Sequence, residues 1–487
     1  MSKESKRHFF IESVEQGDRL DCQYYDPEYF ETLEKLKKMA EGSGFEVNDL
    51  ADLLASEDGN LTGGATPLGA VYLAEGIPFI RIQNIKETGI DLSDVVFISR
   101  KIHNKDLVRS QLRPEDVLMT ITGTYGVSAV VPEAFGEANI NQHVVRIAVD
   151  RTRIDSHYLS MYLNSAYAQK QMQREVTGNT RLALDYAAIK TLKIVRPDKG
   201  IQRSIVEKVK EVYARAKHIQ TEFEKLEDSY DSTILSKLGI QLPPEPKLKV
   251  FLTSVADRLE VKWYYPYYEQ IEKVISDKKA KRLREFSPRL QYGASIDADY
   301  FGDIPFLRIE NLRRNYLDTT DLQDIPSKLY EDTVSNLYLE EGDLLIARSG
   351  VTVGTCAYVP HGMDDYVHGS YIIKIRLPKN SELLPRYLSV YINSVLGRLQ
   401  IDRLKTGSAQ PNINTQQIRE ILIIQPETEI QEDIVSAVYS SIEEAKALRI
   451  KYADKISEAR NLFISLLSVG QQVAYTNSER RKSPDES

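Results

Sequence analysis

The sequence predicts an α+β protein: two tandem mixed α/β domains separated by two long antiparallel, coiled-coil-like helices and related by a pseudo-two-fold internal repeat. Three observations predict it. The chain is written twice; each copy opens with short β-branched apolar runs broken by Gly, Pro, Asn and Asp; and each copy closes with a long helical seam.

Asp18-Arg19-Leu20 followed by Tyr25-Asp26-Pro27-Glu28-Tyr29 returns as Asp257-Arg258-Leu259 followed by Tyr264-Tyr265-Pro266-Tyr267-Tyr268. PFIRIQNI from Pro78 returns as PFLRIENL from Pro305, and the turn at Asp116 leading to Gly123 as that at Asp343 leading to Gly350. YLSMYLNS from Tyr158 returns as YLSVYINS from Tyr387, and PDKGIQRSIV from Pro197 as PETEIQEDIV from Pro426. The offset is 239, then 227, then 229, so order is kept while loops change length. A period of this size is a domain, not a solenoid unit, and marks a tandem duplication.

Runs such as IPFIRI, DVLMTI, SAVVP and HVVRIAV, with DLLIA, GTCAYVP and YIIKIRL in the second copy, read as strands of a compact sheet domain. Tyr158 to Gln173 and Tyr387 to Gln400 read as single helices. From Ile205 the apolar positions Val209, Val212, Ala216, Ile219, Phe223, Leu226, Tyr230 and Ile234 recur every three or four residues and stop at Gly239. Ile430, Ile434, Val438, Ile442, Ala445, Leu448, Tyr452, Ile456, Ala459, Phe463 and Leu466 do the same in the second copy. Each helix is roughly 55 Å long, more than one core needs, so the pair reads as a coiled-coil spacer. The expected boundaries are a first domain at 1–199, a central spacer helix at 200–240, and a proline-rich linker at 241–249. A second domain follows at 250–428, a C-terminal spacer helix at 429–468, and a polar, disordered tail at 469–487.

Composition closes off several classes. Of 487 residues, 42% are hydrophobic and 28% charged, which excludes a disordered or fibrous chain. There is no apolar run long enough for a membrane span and no secretory signal, so a cytoplasmic location with no membrane partner is expected. Cys22 and Cys356 cannot make a disulfide framework or a four-ligand zinc site. The net charge of −8 does not exclude a nucleic-acid partner, because phosphates respond to potential within about one Debye length. Local basic runs exist, as at Lys278 to Arg284, although each taken alone reads as a solvated face.

No catalytic motif is convincing. Asp26-Pro27-Glu28-Tyr29 resembles the D-P-P-Y signature of amino-methyltransferases but departs at its third position, and its repeat carries Tyr265 in place of the acid. Gly42-Ser43-Gly44 could pass for part of an S-adenosylmethionine loop, but it follows a helical stretch, where glycine is the expected stop. Glu245-Pro246-Lys247 has the E-x-K pattern of many nucleases but sits on the proline linker, where no strand aligns it with a metal. The histidines and carboxylates have no metal-ligand spacing; no metal and no cofactor is expected in this chain.

What remains is polar, loop-borne and different between copies. Thr122, Thr124 and Tyr125 stand against Ser349 and Thr352; Asn141, Gln142 and His143 against His368, Ser370 and Tyr371; Asn179 and Arg181 against Ser408, Gln410 and Asn412. Arg81, Gln83 and Asn84, with Arg308, Glu310 and Asn311, complete the candidate set. Such side chains pair with base edges in the major groove, and on loops over a rigid sheet they let each domain read a different short sequence. Drift between duplicates also collects in loops, so divergence alone leaves both readings open. Arg81, Arg308 and Arg348, with the basic runs, are expected to make the phosphate contacts that orient each module; Arg81 and Arg308 occupy equivalent positions, which suits framework ion pairs equally.

The ordered set resembles the specificity subunit of a type I restriction-modification system. It comprises the D-R-L opening with its tyrosines, the P-F-x-R-I-x-N block and the turn at Asp116 and Asp343. The Tyr-Leu-Ser-x-Tyr helix, the Thr-Gly stretch and the Pro-to-Gln start of each long helix complete it. The resemblance spans residues 15 to 468 and implies two target-recognition domains held apart by antiparallel helices, each reading half of a bipartite, asymmetric site in double-stranded DNA. It implies no catalysis by this chain. Methyltransferase subunits docking on the long helices would carry S-adenosylmethionine and adenine N6-methylation, and a restriction and translocase subunit would complete the complex. A coiled-coil scaffold and a stand-alone DNA methyltransferase-like protein remain the alternatives.

Overall fold

The computed structural model describes residues 22–41, 45–56, 60–66, 72–73, 75–177, 182–246, 251, 261–296, 302–350, 352–407 and 410–482. The chain divides into two compact units, and the division falls inside both long helices, Lys199–Lys237 and Thr428–Lys482. The first module runs up to Thr221 and resumes at Leu448; the second is Glu222–Ala447.

In the first module an antiparallel sheet orders Leu61–Gly63, Val144–Ile147, Val117–Thr120 and Ser128–Val130. A smaller sheet orders Val96–Ile98, Ile77–Ile80 and Asn139–Ile140, the last pair parallel. The second module has the same order: Arg289–Tyr292, Ile372–Arg376, Leu344–Ala347 and Cys356–Tyr358, then Gln323–Ile325, Ile304–Leu307 and Val367–His368. The central strands are predominantly apolar because both faces are covered, with Thr120, Arg146 and Lys374 as buried polar exceptions. Val117 and Met119 enter a core shared with helices, whereas Leu118 on the opposite face packs with Ile80, Ile85 and Ile140. Leu344 and Ile346, and Leu345 opposite them, repeat the arrangement.

The two expected single helices are each broken in two: Ser156–Asn164 then Ala166–Glu175, and Pro385–Asn393 then Val395–Leu404. The break is a serine in extended conformation, Ser165 or Ser394, whose hydroxyl donates to the carbonyl of Tyr162 (2.6 Å) or Tyr391 (2.7 Å). A hydroxyl competing for backbone partners weakens the helix there, a signal that apolar periodicity does not carry. The preceding asparagine acts as an extra strand neighbour. The Asn164 amide accepts from the Ser128 N–H and donates to its carbonyl, both at 2.9 Å; Asn393 does the same at Cys356. Tyr158 and Tyr387 donate to the carbonyls of Val195 and Ile424 at 2.7 Å.

Each long helix starts on a buried glutamine. Gln202 accepts from the Asp155 N–H (2.8 Å) and donates to the Pro197 carbonyl (2.7 Å); Gln431 accepts from Leu384 and donates to Pro426, both at 2.9 Å. The helices also belong to the module cores. In the first module Ile205, Val209 and Val212 pack with Ile456, Ala459 and Phe463; in the second, Ile234 packs with Ile434, Val438 and Ile442. Two expected seam positions are displaced: Ile430 is exposed, and Leu467 rather than Leu466 is fully buried. The C-terminal helix runs on to Lys482, past Val469, where the sequence places the start of a tail. No proline interrupts it before Pro484, and Gly470 sits where an added Cβ would meet Ile201 at 3.2 Å, so the helices approach closely there.

Candidate nucleic-acid interface

The Pro-Phe strand of each module ends in a short 3-10 turn, Ile82–Asn84 or Ile309–Asn311. Asn84 and Asn311 close these turns from inside. Their Oδ1 atoms accept from the N–H of Arg81 (2.9 Å) and Arg308 (2.8 Å), and their Nδ2 atoms donate to the carbonyls of Asp91 and Asp318 at 3.0 Å. Both are buried and consumed by backbone, so the structure makes them framework residues instead of base readers. Arg81 donates to the Asp94 carbonyl at 2.8 Å and lies 3.4 Å from its carboxylate, with Gln83 at 3.4 Å from the same group. Arg308 faces Asp321 at 3.8 Å. Glu310 is exposed, and its carbonyl accepts from Arg313 (2.6 Å). The turn aspartates are structural too: Asp116 accepts from the Arg113 N–H (2.7 Å), and Asp343 pairs with Arg376 through both oxygens (2.6 and 2.7 Å).

Above this framework the divergent loops are held by one hydrogen-bond pattern in both modules. Ile121 donates to the His143 carbonyl (3.0 Å) and Leu184 to Ile121 (2.9 Å); Arg348 donates to Tyr371 (2.9 Å) and Ile413 to Arg348 (2.8 Å). Thr122 pairs with Ala183 as Ser349 pairs with Asn412. Position by position, Ile121 corresponds to Arg348, Thr122 to Ser349, His143 to Tyr371, and Ala183 to Asn412.

In the first module Gln83, Thr122 and Thr124 line one cleft of about 570 Å³. Gln142, His143 and Thr122 form a string beside it: Gln142 meets the His143 ring at 3.1 Å, the ring meets Thr122 at 3.3 Å, and Thr66 donates to Gln142. Asn141 is buried and accepts from the His143 N–H (3.1 Å), which makes it a turn former. Tyr125 packs against the core, and burial raises its hydroxyl pKa. Asn179 and Arg181 lie outside the described residues, as do Gly42-Ser43-Gly44, Asp18 to Leu20, Asp257 to Leu259 and Ser408.

In the second module Tyr371 is 58% exposed and Gln410 and Thr352 are exposed, with Ser370 and Asn412 half-buried beside them. Ser349 is buried, and so is His368. His368 pairs with Leu307 where Ile140 pairs with Ile80, so it occupies a core strand position and is no base reader here. Burial pushes its imidazole down to about 3, and neither ring nitrogen finds a hydrogen bond of ordinary geometry.

Two aromatic residues were not among the sequence candidates. Tyr292 ends the edge strand of the second module; its hydroxyl accepts from the Thr415 N–H (3.2 Å), and the Arg348 guanidinium lies 4.7 Å over its ring. The first module has Gly63 at that strand position, and a Cβ there would sit 1.7 Å from the hydroxyl of Tyr186. Tyr186 in turn opens the short helix equivalent to the one Thr415 opens. The ring has changed element between copies. The signal lay in the repeat, but in two positions 123 residues apart that only the fold brings together.

The methyltransferase-like Asp26-Pro27 pattern is a helix start: Asp26 accepts from the Glu28 N–H (3.0 Å) and pairs with Lys170 (2.6 Å), and Pro27 opens the helix Pro27–Ala40. Pro246 of the nuclease-like pattern accepts from the Tyr265 hydroxyl at 2.6 Å. Among the described residues no group of three His, Cys, Asp or Glu side chains is placed to hold a metal, and no helix is long and apolar enough to cross a membrane.

The chain matches the family described as the type I restriction modification DNA specificity domain twice, over residues 43–228 and 294–451. It belongs to that family. It is 21% identical over 426 residues to the specificity subunit of the type I restriction enzyme EcoKI from Escherichia coli strain K12, covering 84% of each chain. It is 28% identical over 148 residues to the EcoBI specificity subunit of Escherichia coli, covering 30% of this chain and 31% of that one. The crystal structure of a type I system S subunit from M. genitalium is similar at a TM-score of 0.36 and 11% identity, over 87% of this chain and 95% of that one. The two family matches fall one on each copy of the sequence repeat.

Proposed function

We propose that this specificity subunit reads a bipartite, asymmetric DNA site, one half with each module, and performs no chemistry itself. The observation that carries the reading is one loop scaffold, repeated bond for bond, carrying different polar side chains in its two copies. A shared scaffold with exchanged contact groups suits two readers of unlike sequences. The long helices would serve as an antiparallel coiled-coil spacer related by a pseudo-two-fold axis, fixing the number of unspecified bases between half-sites and presenting docking surfaces to methyltransferase subunits. Those partners would bind S-adenosylmethionine, flip the adenine and methylate it, and a restriction and translocase subunit would use the same address.

The test is the methylome of a host carrying the locus with and without this gene. A gapped, two-part adenine-methylated motif that disappears with the gene is the expected result. Absence of any such motif overturns the proposal, and S-adenosylmethionine binding by the purified chain alone favours the stand-alone methyltransferase instead. Salt-sensitive DNA binding in the presence of the methyltransferase subunit separates a reader from a scaffold.

A further inference from the structure

Resting on the reading just given, we infer that Arg348, stacked on Tyr292, is a guanine-reading residue of the second module, and that the half-site read there contains a guanine whose identity depends on it.

Arg348 differs from the other loop arginines in what surrounds it. Arg81 faces Asp94, Arg308 faces Asp321 and Arg376 grips Asp343. Among the described residues the Arg348 guanidinium has no carboxylate and no hydrogen-bond acceptor; its Nε, like that of Arg308, is buried without a partner, and the Tyr292 ring lies 4.7 Å from it. An aromatic face beneath a guanidinium holds its plane and leaves the donor fork pointing edge-on, pre-organised for a planar two-acceptor target. Tyr292 is itself fixed, by the bond from Thr415 to its hydroxyl. The backbone N–H of Arg348 bonds to the carbonyl of the exposed Tyr371, so the arginine leaves the sheet among the divergent loops.

The repeat argues for a base over a phosphate. Phosphate contacts set register and carry no sequence information, so the cations that make them belong to what the two modules share. Arg348 belongs to what they do not share: its counterpart is Ile121, and its supporting ring has Gly63 as counterpart. A ring fills this space in both copies, Tyr292 here and Tyr186 in the first module, but the arginine is confined to one and is placed to make a distinction that copy alone needs. Among base edges, the O6 and N7 acceptors of guanine match the guanidinium fork.

The experiment is methylome sequencing of a host carrying the locus with wild-type protein, Arg348→Lys, Arg348→Met or Tyr292→Leu, with the complex also purified to confirm assembly. The expected result for both Arg348 variants is that one guanine of one half-site becomes degenerate, with discrimination there reduced about 10- to 100-fold. The other half-site and the spacer stay unchanged, and Tyr292→Leu relaxes the same position by less. If Arg348→Lys keeps the wild-type motif while Arg348→Met lowers methylation at all sites alike, the residue is a phosphate contact and the inference fails. It also fails if both variants leave motif and extent unaltered, or if the position that relaxes is not guanine. A wild-type locus that yields no gapped motif refutes the underlying reading instead.

Discussion

The two modules share a skeleton and differ in what they hold up. Asn84 and Asn311, Asn164 and Asn393, and Gln202 and Gln431 each make the same pair of backbone bonds at equivalent positions. In the loops and strand ends, Ile121, Gly63, His143 and Tyr186 of the first module give way to Arg348, Tyr292, Tyr371 and Thr415 of the second. These three shared pairs are buried backbone partners, whereas Tyr371, found in one copy, is loop-borne and exposed. Asn141 and His368 are polar residues of one copy that went inward.

The largest expected effect tests the shared skeleton. Asn164→Ala and Asn393→Ala each strip both backbone groups of a buried edge-strand residue, and each should cost its own module about 2–3 kcal/mol. Hydrogen exchange on the strands Ser128–Val130 and Cys356–Tyr358 reads this locally. Sensitivity in one module only would break the comparison.

A smaller effect tests the displaced ring. Gly63→Tyr alone puts a side chain where the Tyr186 hydroxyl sits and should destabilise the first module by about 1–2 kcal/mol. Combined with Tyr186→Thr it copies the second module and should recover most of that loss in thermal unfolding. If the double variant is no better than the single one, the two rings do not occupy equivalent space.

The smallest concerns His368. Its folded pKa, near 3, lies below the ordinary imidazole value of 6.5, so between these pH values the unfolded chain binds more protons. The stability of the second module should therefore decline as pH falls from about 6.5 toward 3. His368→Ile, which copies Ile140, should add about 1 kcal/mol at neutral pH by removing an unsatisfied polar group. It should also flatten that acid limb in urea titrations at pH 4.5 and 7. An unchanged pH profile would mean that the ring finds partners.

Much of the fold was legible because its causes are local. Runs such as DVLMTI and HVVRIAV are mostly apolar, and the strands they form, Val117–Thr120 and Val144–Ile147, are buried at every position. The candidate site was legible only in part. Asn84 and Asn311 carry amides suited to reading adenine, yet their occurrence in both copies was the clue to a framework role. His368 stood opposite Ile140 in the aligned blocks, but its type pointed to the surface. The helix breaks at Ser165 and Ser394 depend on single hydroxyl bonds that leave apolar spacing intact.

By itself the sequence determined the duplication, the family and the location of the divergent segments. Repeated order and apolar period are properties of the chain that no folding event alters. Only the tertiary structure decided which divergent side chains face out, that Tyr186 and Tyr292 answer one another, and that Arg348 rests on a ring while its neighbours meet carboxylates. Those outcomes depend on contacts between residues far apart in sequence, where burial and hydrogen-bond satisfaction are settled jointly.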